Sequence, residues 1–132
     1  MFASLFVLLY AAHLLGDYPF QTDHQAGCKA DHGAAGWRAN FAHAATHVLF
    51  CSLALVVAAV VFGESAGVLP GIVAVLWIGA THAFIDRRWP VTRWMTFARQ
   101  QGWAQHGGGA AHVDQTAHAL VLVIAALALA AI

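Results

Sequence analysis

Charge is what this chain has least of. Asp, Glu, Lys and Arg together supply 9% of its 132 residues, against roughly 25% in an average soluble domain. So few charges cannot clothe an ordinary water-facing surface, and the 61% hydrophobic content is that of a membrane protein. The six basic and six acidic residues balance, so net charge points neither to nucleic acid nor to an acidic partner. Cysteine is also scarce. Cys28 and Cys51 follow neither a CxxC nor a zinc-finger spacing and read as free thiols. Glutamate occurs once, at Glu64. No internal repeat of solenoid length is present. The GGG run at 107–109 has no strand before it and no GK[ST] after it, which makes it a connector and not a phosphate loop.

Four apolar segments account for most of the chain, at approximately 2–18, 39–62, 70–89 and 111–132. The first is short for the ~20 residues a span requires, so polar residues must complete one of its ends. No basic residue precedes it and no clear AxA site follows, which favours a span over a cleaved signal peptide. Asn40 suits a cap for the second segment and Gly63 breaks it. Pro70 suits a first helical turn, and Pro90 is expected to end the third helix. Four such helices with almost no polar face leave nothing to meet water, against a soluble bundle. The expectation is one membrane domain over 1–132, all-α, a polytopic four-helix bundle running up-down-up-down.

Lys29 and Arg38 lie between segments one and two, and Arg87, Arg88, Arg93 and Arg99 follow segment three. Between segments two and three the only charge is Glu64. All the basic residues therefore fall on one side. The positive-inside bias makes that side cytoplasmic and puts both termini outside. Trp89, Trp94 and Trp103 interleave the arginines, a pattern that reads as an interfacial anchor and not as a nucleic-acid surface.

Each segment also carries two His or Asp residues four apart: His13 and Asp17, His43 and His47, His82 and Asp86, Asp114 and His118. An i, i+4 pair shares one helical face. With 14 His or Asp in the chain, chance placement gives about 1.4 such pairs. The pairs sit near the C-terminal ends of segments one and three and the N-terminal ends of two and four. All eight groups are thus expected at one level, on the cytoplasmic side.

Ionisable groups at membrane depth are costly unless they face inward and are paired or coordinated. Five imidazoles and three carboxylates suit a divalent metal, zinc foremost, with Mn or Fe as alternatives. Eight ligands serve two ions, or one ion with carboxylates orienting the imidazoles. Structural interhelical hydrogen bonds and a proton relay are the competing readings; bis-histidine haem ligation would leave the aspartates without a role. Gln21 and Gln115 continue the same stripes, although Pro19 interrupts the helix before Gln21. Arg87 and Arg88 are candidate anion contacts, with snorkelling anchors as the plainer alternative. His24, His32, His106 and His112 lie in or beside polar stretches and read as loop residues, His112 being the nearest to an exception.

Together, "HLLGDYPFQTD", "HAATHVLF", "HAFID" and "DQTAHAL" resemble the domain of unknown function 3307 family of small bacterial and phage membrane proteins. The resemblance covers nearly the whole chain in order. It implies a compact multi-helix membrane protein and supplies no activity; the expected location is the bacterial inner membrane, with the site facing the cytoplasm. The His/Asp helices are more distantly similar to membrane-bound metal-dependent hydrolases, which implies hydrolysis of a phosphorylated or lipid-like substrate. A further glutamate acid/base would complete that pattern, and Glu64 is expected on the opposite side. No residue is assigned as general base. The alternatives are a metal-ion or proton transporter and a non-catalytic interaction protein. The expected partners are the lipid bilayer, such a substrate and further copies of the chain, not nucleic acid.

Overall fold

The computed structural model describes residues 1–132 and is entirely helical. Its elements are α1 (Phe2–Asp17), α2 (Asp23–Cys28), α3 (Gly33–Phe62), α4 (Val68–Ile85), α5 (Trp89–Phe97), α6 (Gln101–His106) and α7 (Gly109–Ala130). Three of these, α3, α4 and α7, are long and apolar enough to cross a membrane, and α1 is a shorter apolar helix. At ~1.5 Å per residue, the 30 residues of α3 extend well beyond a ~30 Å hydrocarbon layer.

The long helices close a cycle: α1 packs on α3 and α7, and α4 packs on the same two. Polarity in this assembly is inverted relative to a soluble protein. Val56, Val60, Val61, Val68, Leu69, Ile72, Leu76, Leu120 and Ile124 face outward, while most of the chain's buried polar side chains are histidines. An outward apolar sleeve of this extent has no place in water, and it identifies the chain as membrane-associated. Without a hydrophobic force between helices, close approach depends on small residues. Ala54, Ala58, Ala74, Ala125 and Ala126 accordingly fill the apolar core beside Leu5, Leu9, Ile78 and Leu122. At Gly79 an added Cβ would stand 2.5 Å from Val48 Cγ2, so the Val48 side chain of α3 packs directly on the α4 backbone there.

Several boundaries differ from the sequence expectation. Helix α3 starts at Gly33, so Asn40 is no cap; it is a fully buried interior residue whose Nδ2 donates to the Ala83 carbonyl at 3.1 Å. Helix α4 stops at Ile85, and Pro90 does not terminate it. Arg88 turns the chain with φ 62°, and Pro90 lies in the first turn of α5, where a missing N–H costs nothing. Helix α7 is shifted to 109–130. The stretches between the apolar runs are themselves helical. Helix α2 is fixed by a capping box in which Thr22 Oγ1 accepts from the Gln25 N–H and Gln25 Oε1 accepts from the Thr22 N–H. Helix α5 buries Val91 and Met95 against Ile85 and exposes Trp89, Trp94 and Phe97.

Candidate metal centre

The i, i+4 stripes become tiers when the helices close. One turn from each polar pair toward the apolar end lie Leu9, Cys51, Ile78 and Leu122, all buried. These four residues seal that side of the site. The next tier is one imidazole from each long helix: His13, His47, His82 and His118. Their rings form a closed circuit with centroid separations of 5.1 Å (His13–His47), 3.6 Å (His47–His82), 4.2 Å (His82–His118) and 5.1 Å (His118–His13). The third tier holds Asp17, His43, Asp86 and Asp114. Of these eight side chains only Asp114, 25% exposed, approaches solvent.

The four Nε2 atoms of the imidazole tier point at the carboxylates. Asp17 Oδ1 stands 3.1 Å from His47 Nε2 and 3.2 Å from His43 Nε2, and its Oδ2 stands 3.2 Å from His13 Nε2. Asp86 Oδ2 lies 3.1 Å from His82 Nε2 and 3.4 Å from His43 Nε2, and its Oδ1 lies 3.7 Å from His118 Nε2. His43 therefore bridges the two carboxylates. Asp114 Oδ2 is 3.5 Å from His118 Nε2. Three overlapping sets result, each with its donor atoms within 4.8 Å of one another: His13, Asp17, His47 and His82; His43, His82 and Asp86; Asp86, Asp114 and His118. The structure thus gathers all eight side chains of the four pairs.

Whether this donor set fits a cation can be judged from its hydrogen bonding. Buried polar atoms are ordinarily paired, yet Nε2 of His82 and Nε2 of His118 make no hydrogen bond although carboxylate oxygens lie nearby. Converging nitrogens and oxygens with unspent lone pairs can hold a divalent metal. On the Nδ1 side the rings of His43, His47 and His82 are held by packing alone, since those nitrogens are also unpaired. Gly16 makes room for this: a Cβ there would stand 2.6–2.9 Å from three atoms of the His47 ring.

The two glutamines enter as hydrogen-bonding partners. Gln115 Nε2 donates to Asp17 Oδ2 at 2.8 Å while its Oε1 lies 3.3 Å from His13 Nε2. Gln21, beyond the end of α1, still brings Nε2 to 3.0 Å from His43 Nε2. Arg87 is turned away from the pairs. Its Nη1 and Nη2 donate to the Lys29 and Asp31 carbonyls at 2.8 and 2.7 Å, and the guanidinium lies 4.3 Å over the Trp37 ring. Arg88 donates to the Ala26 carbonyl at 3.3 Å. Both arginines therefore strap the α2 segment onto the end of α4. His112 stacks on Trp103 at 5.9 Å, His106 Nδ1 lies 3.3 Å from the Gly102 carbonyl, and His24 Nδ1 lies 3.7 Å from Cys28 Sγ. None of these, nor His32, joins the tiers.

Two neighbours of the site escape a spacing analysis. Lys29 Nζ lies 2.9 Å from Asp86 Oδ2, although from sequence it reads only as a topology charge. Asn40 is buried one turn before His43 with Oδ1 unpaired; its place three residues before a paired histidine was the available signal. At the far end of the helices Glu64 accepts from Ser4 Oγ and lies 2.9 Å from the Met1 amino group. The hydroxyl, aided by that cation, holds the Glu64 carboxyl below the usual carboxylate range.

No curated protein and no solved structure matches this chain. The family described as "Protein of unknown function (DUF3307)" matches residues 5–132, and the chain belongs to that family.

Proposed function

We propose that this is a multi-pass protein of the bacterial inner membrane whose four long helices form an up-down-up-down bundle around a divalent-metal site near the cytoplasmic face. Both termini then lie outside. The observation that carries the reading is the imidazole tier facing a carboxylate tier, with histidine nitrogens buried and unpaired. Purely structural hydrogen bonds would not leave His82 and His118 unspent at the centre of the cluster. Zinc matches the mixed imidazole and carboxylate donors best, with Mn and Fe as alternatives.

The chemistry that fits such a site is hydrolysis of a phosphorylated or lipid-like substrate. A divalent ion, when bound, supplies Lewis acidity and brings the pKa of water toward ~7. The chain's own part is positional: Gln115 holds Asp17 and His13 in register, and Gln21 reaches His43 from the covering loop. The partly exposed Asp114 marks the open side. Transport is the less favoured reading, because Leu9, Cys51, Ile78 and Leu122 and the alanines beyond them offer no polar path to the other end.

Metal analysis of the purified protein tests the site. At least one ion per chain is expected, lost on His47→Ala, with Asp86→Ala removing only metal beyond the first ion; sub-stoichiometric metal unchanged by either substitution overturns the reading. Product release from a panel of phosphate and acyl substrates tests hydrolysis separately; metal without turnover would favour binding. Orientation is read by thiol labelling. Cys28, half-buried beside the α2 strap, should react from the cytoplasmic side alone, with buried Cys51 silent.

A further inference from the structure

Lys29 is the chain's single lysine, and its placement is expensive. The two terminal guanidinium nitrogens of Arg87 hold the backbone carbonyls of Lys29 and Asp31, and the capping box keeps α2 helical just before Lys29. This strap delivers the ammonium to 2.9 Å from Asp86 Oδ2, with the lysine side chain only 13% exposed. Asp86 belongs to two of the three donor sets, including the one it shares with Asp114 and His118. In that set His118 is 3% exposed and its Nε2 has no hydrogen bond. The half of the site around Asp17 contains no such cation; imidazoles and the Gln115 amide surround that carboxylate.

Resting on the metal-centre reading, we propose that Asp86, Asp114 and His118 form a second, exchangeable divalent-cation position, and that the Lys29 ammonium is the tethered cation standing in for that ion. A buried carboxylate requires a positive partner. A lysine on a loop supplies one without fixing it permanently, because its flexible stem can swing the ammonium outward to water. An incoming divalent ion and the ammonium repel one another at this separation, so occupancy of Asp86 by one expels the other. The ion held by His13, Asp17, His47 and His82 meets no such competitor and is retained. The second ion consequently binds more weakly than the ligand set alone would dictate, and its entry is coupled to movement of the α2 strap.

The test is equilibrium dialysis of the purified full chain against zinc, with ions per chain counted across free-zinc concentrations. The parent is expected to hold one ion tightly and a second only at higher zinc. Lys29→Met, which keeps the length of the stem and removes the charge, should tighten the second ion by about tenfold or more and leave the first unchanged. Lys29→Arg should behave as the parent does, which separates charge from packing. Asp114→Asn should abolish the second ion alone. Retention of the first ion in each variant reports that the fold survives. An unchanged second affinity in Lys29→Met, or a single ion in both parent and Lys29→Met, overturns the proposal while the metal-centre reading stands. No ion in the parent overturns both.

Discussion

Asp17 and Asp86 occupy equivalent places, each four residues after a histidine and two turns from the apolar seal, yet they are answered in different ways. Asp17 is enclosed by His13, His43, His47 and the Gln115 amide, with no lysine or arginine among them. Asp86 faces His82, His43 and a lysine brought in by a loop, and its neighbour Asp114 is the one carboxylate of the site open to solvent. The same helical repeat therefore builds a closed half and an adjustable half. What separates them is not the repeat but what the connection after α1 brings to each: Arg87 holds its backbone so that Lys29 reaches Asp86, whereas toward Asp17 it supplies only the Gln21 amide, through His43.

The largest effect expected from this difference lies at Asp17. Asp17→Asn should weaken the retained ion by more than about a hundredfold, since the variant loses an anionic donor central to the first set, while Asp86→Asn should leave that ion in place; equilibrium dialysis distinguishes the two, and equal losses would erase the asymmetry. Next comes Gly16→Ala. Its Cβ would meet the His47 ring at 2.6 Å, and pushing that ring aside should cost about ten- to a hundredfold in metal affinity. Gly79→Ala, crowding Val48 at the apolar end, should lower thermal stability in detergent without changing metal content. A smaller effect is expected for Gln115→Leu, which removes the donor to Asp17 Oδ2 at 2.8 Å and should weaken the first ion by about 1 kcal/mol, roughly fivefold. Smallest of all is Arg88→Gln. Its one exposed contact to the Ala26 carbonyl should be worth within about 0.5 kcal/mol of stability, and a large loss there would mean that Arg88, not Arg87, carries the strap.

The two halves were also unequally legible in the sequence. His13, Asp17, His43, His47, His82, Asp86, Asp114 and His118 stand out because a helix repeats every 3.6 residues, so spacing alone places them on shared faces. The structure brings them together. Gln115 was legible for the same reason, being next to Asp114 on an uninterrupted helix. Lys29 was not, because its position depends on how a loop folds back and on Arg87 gripping two carbonyls, neither of which has a fixed spacing. Asn40 reads as a cap because "GAAGWR" before it lacks the apolar rhythm of a span, yet its glycines and alanines continue α3 to Gly33. Pro90 carries a similar ambiguity. A proline near a helix boundary ends one helix or begins the next, and only the left-handed turn at Arg88 decides for the latter.

The most direct test of the metal centre is X-ray absorption at the metal edge of the zinc-loaded protein. The arrangement of tiers predicts a shell of nitrogen and oxygen alone at about 2.0–2.2 Å, with the multiple scattering of several imidazoles. A sulfur shell at about 2.3 Å would place the ion on Cys28 or Cys51, and a shell without imidazole scattering would place it outside the histidine tier; either result contradicts the account.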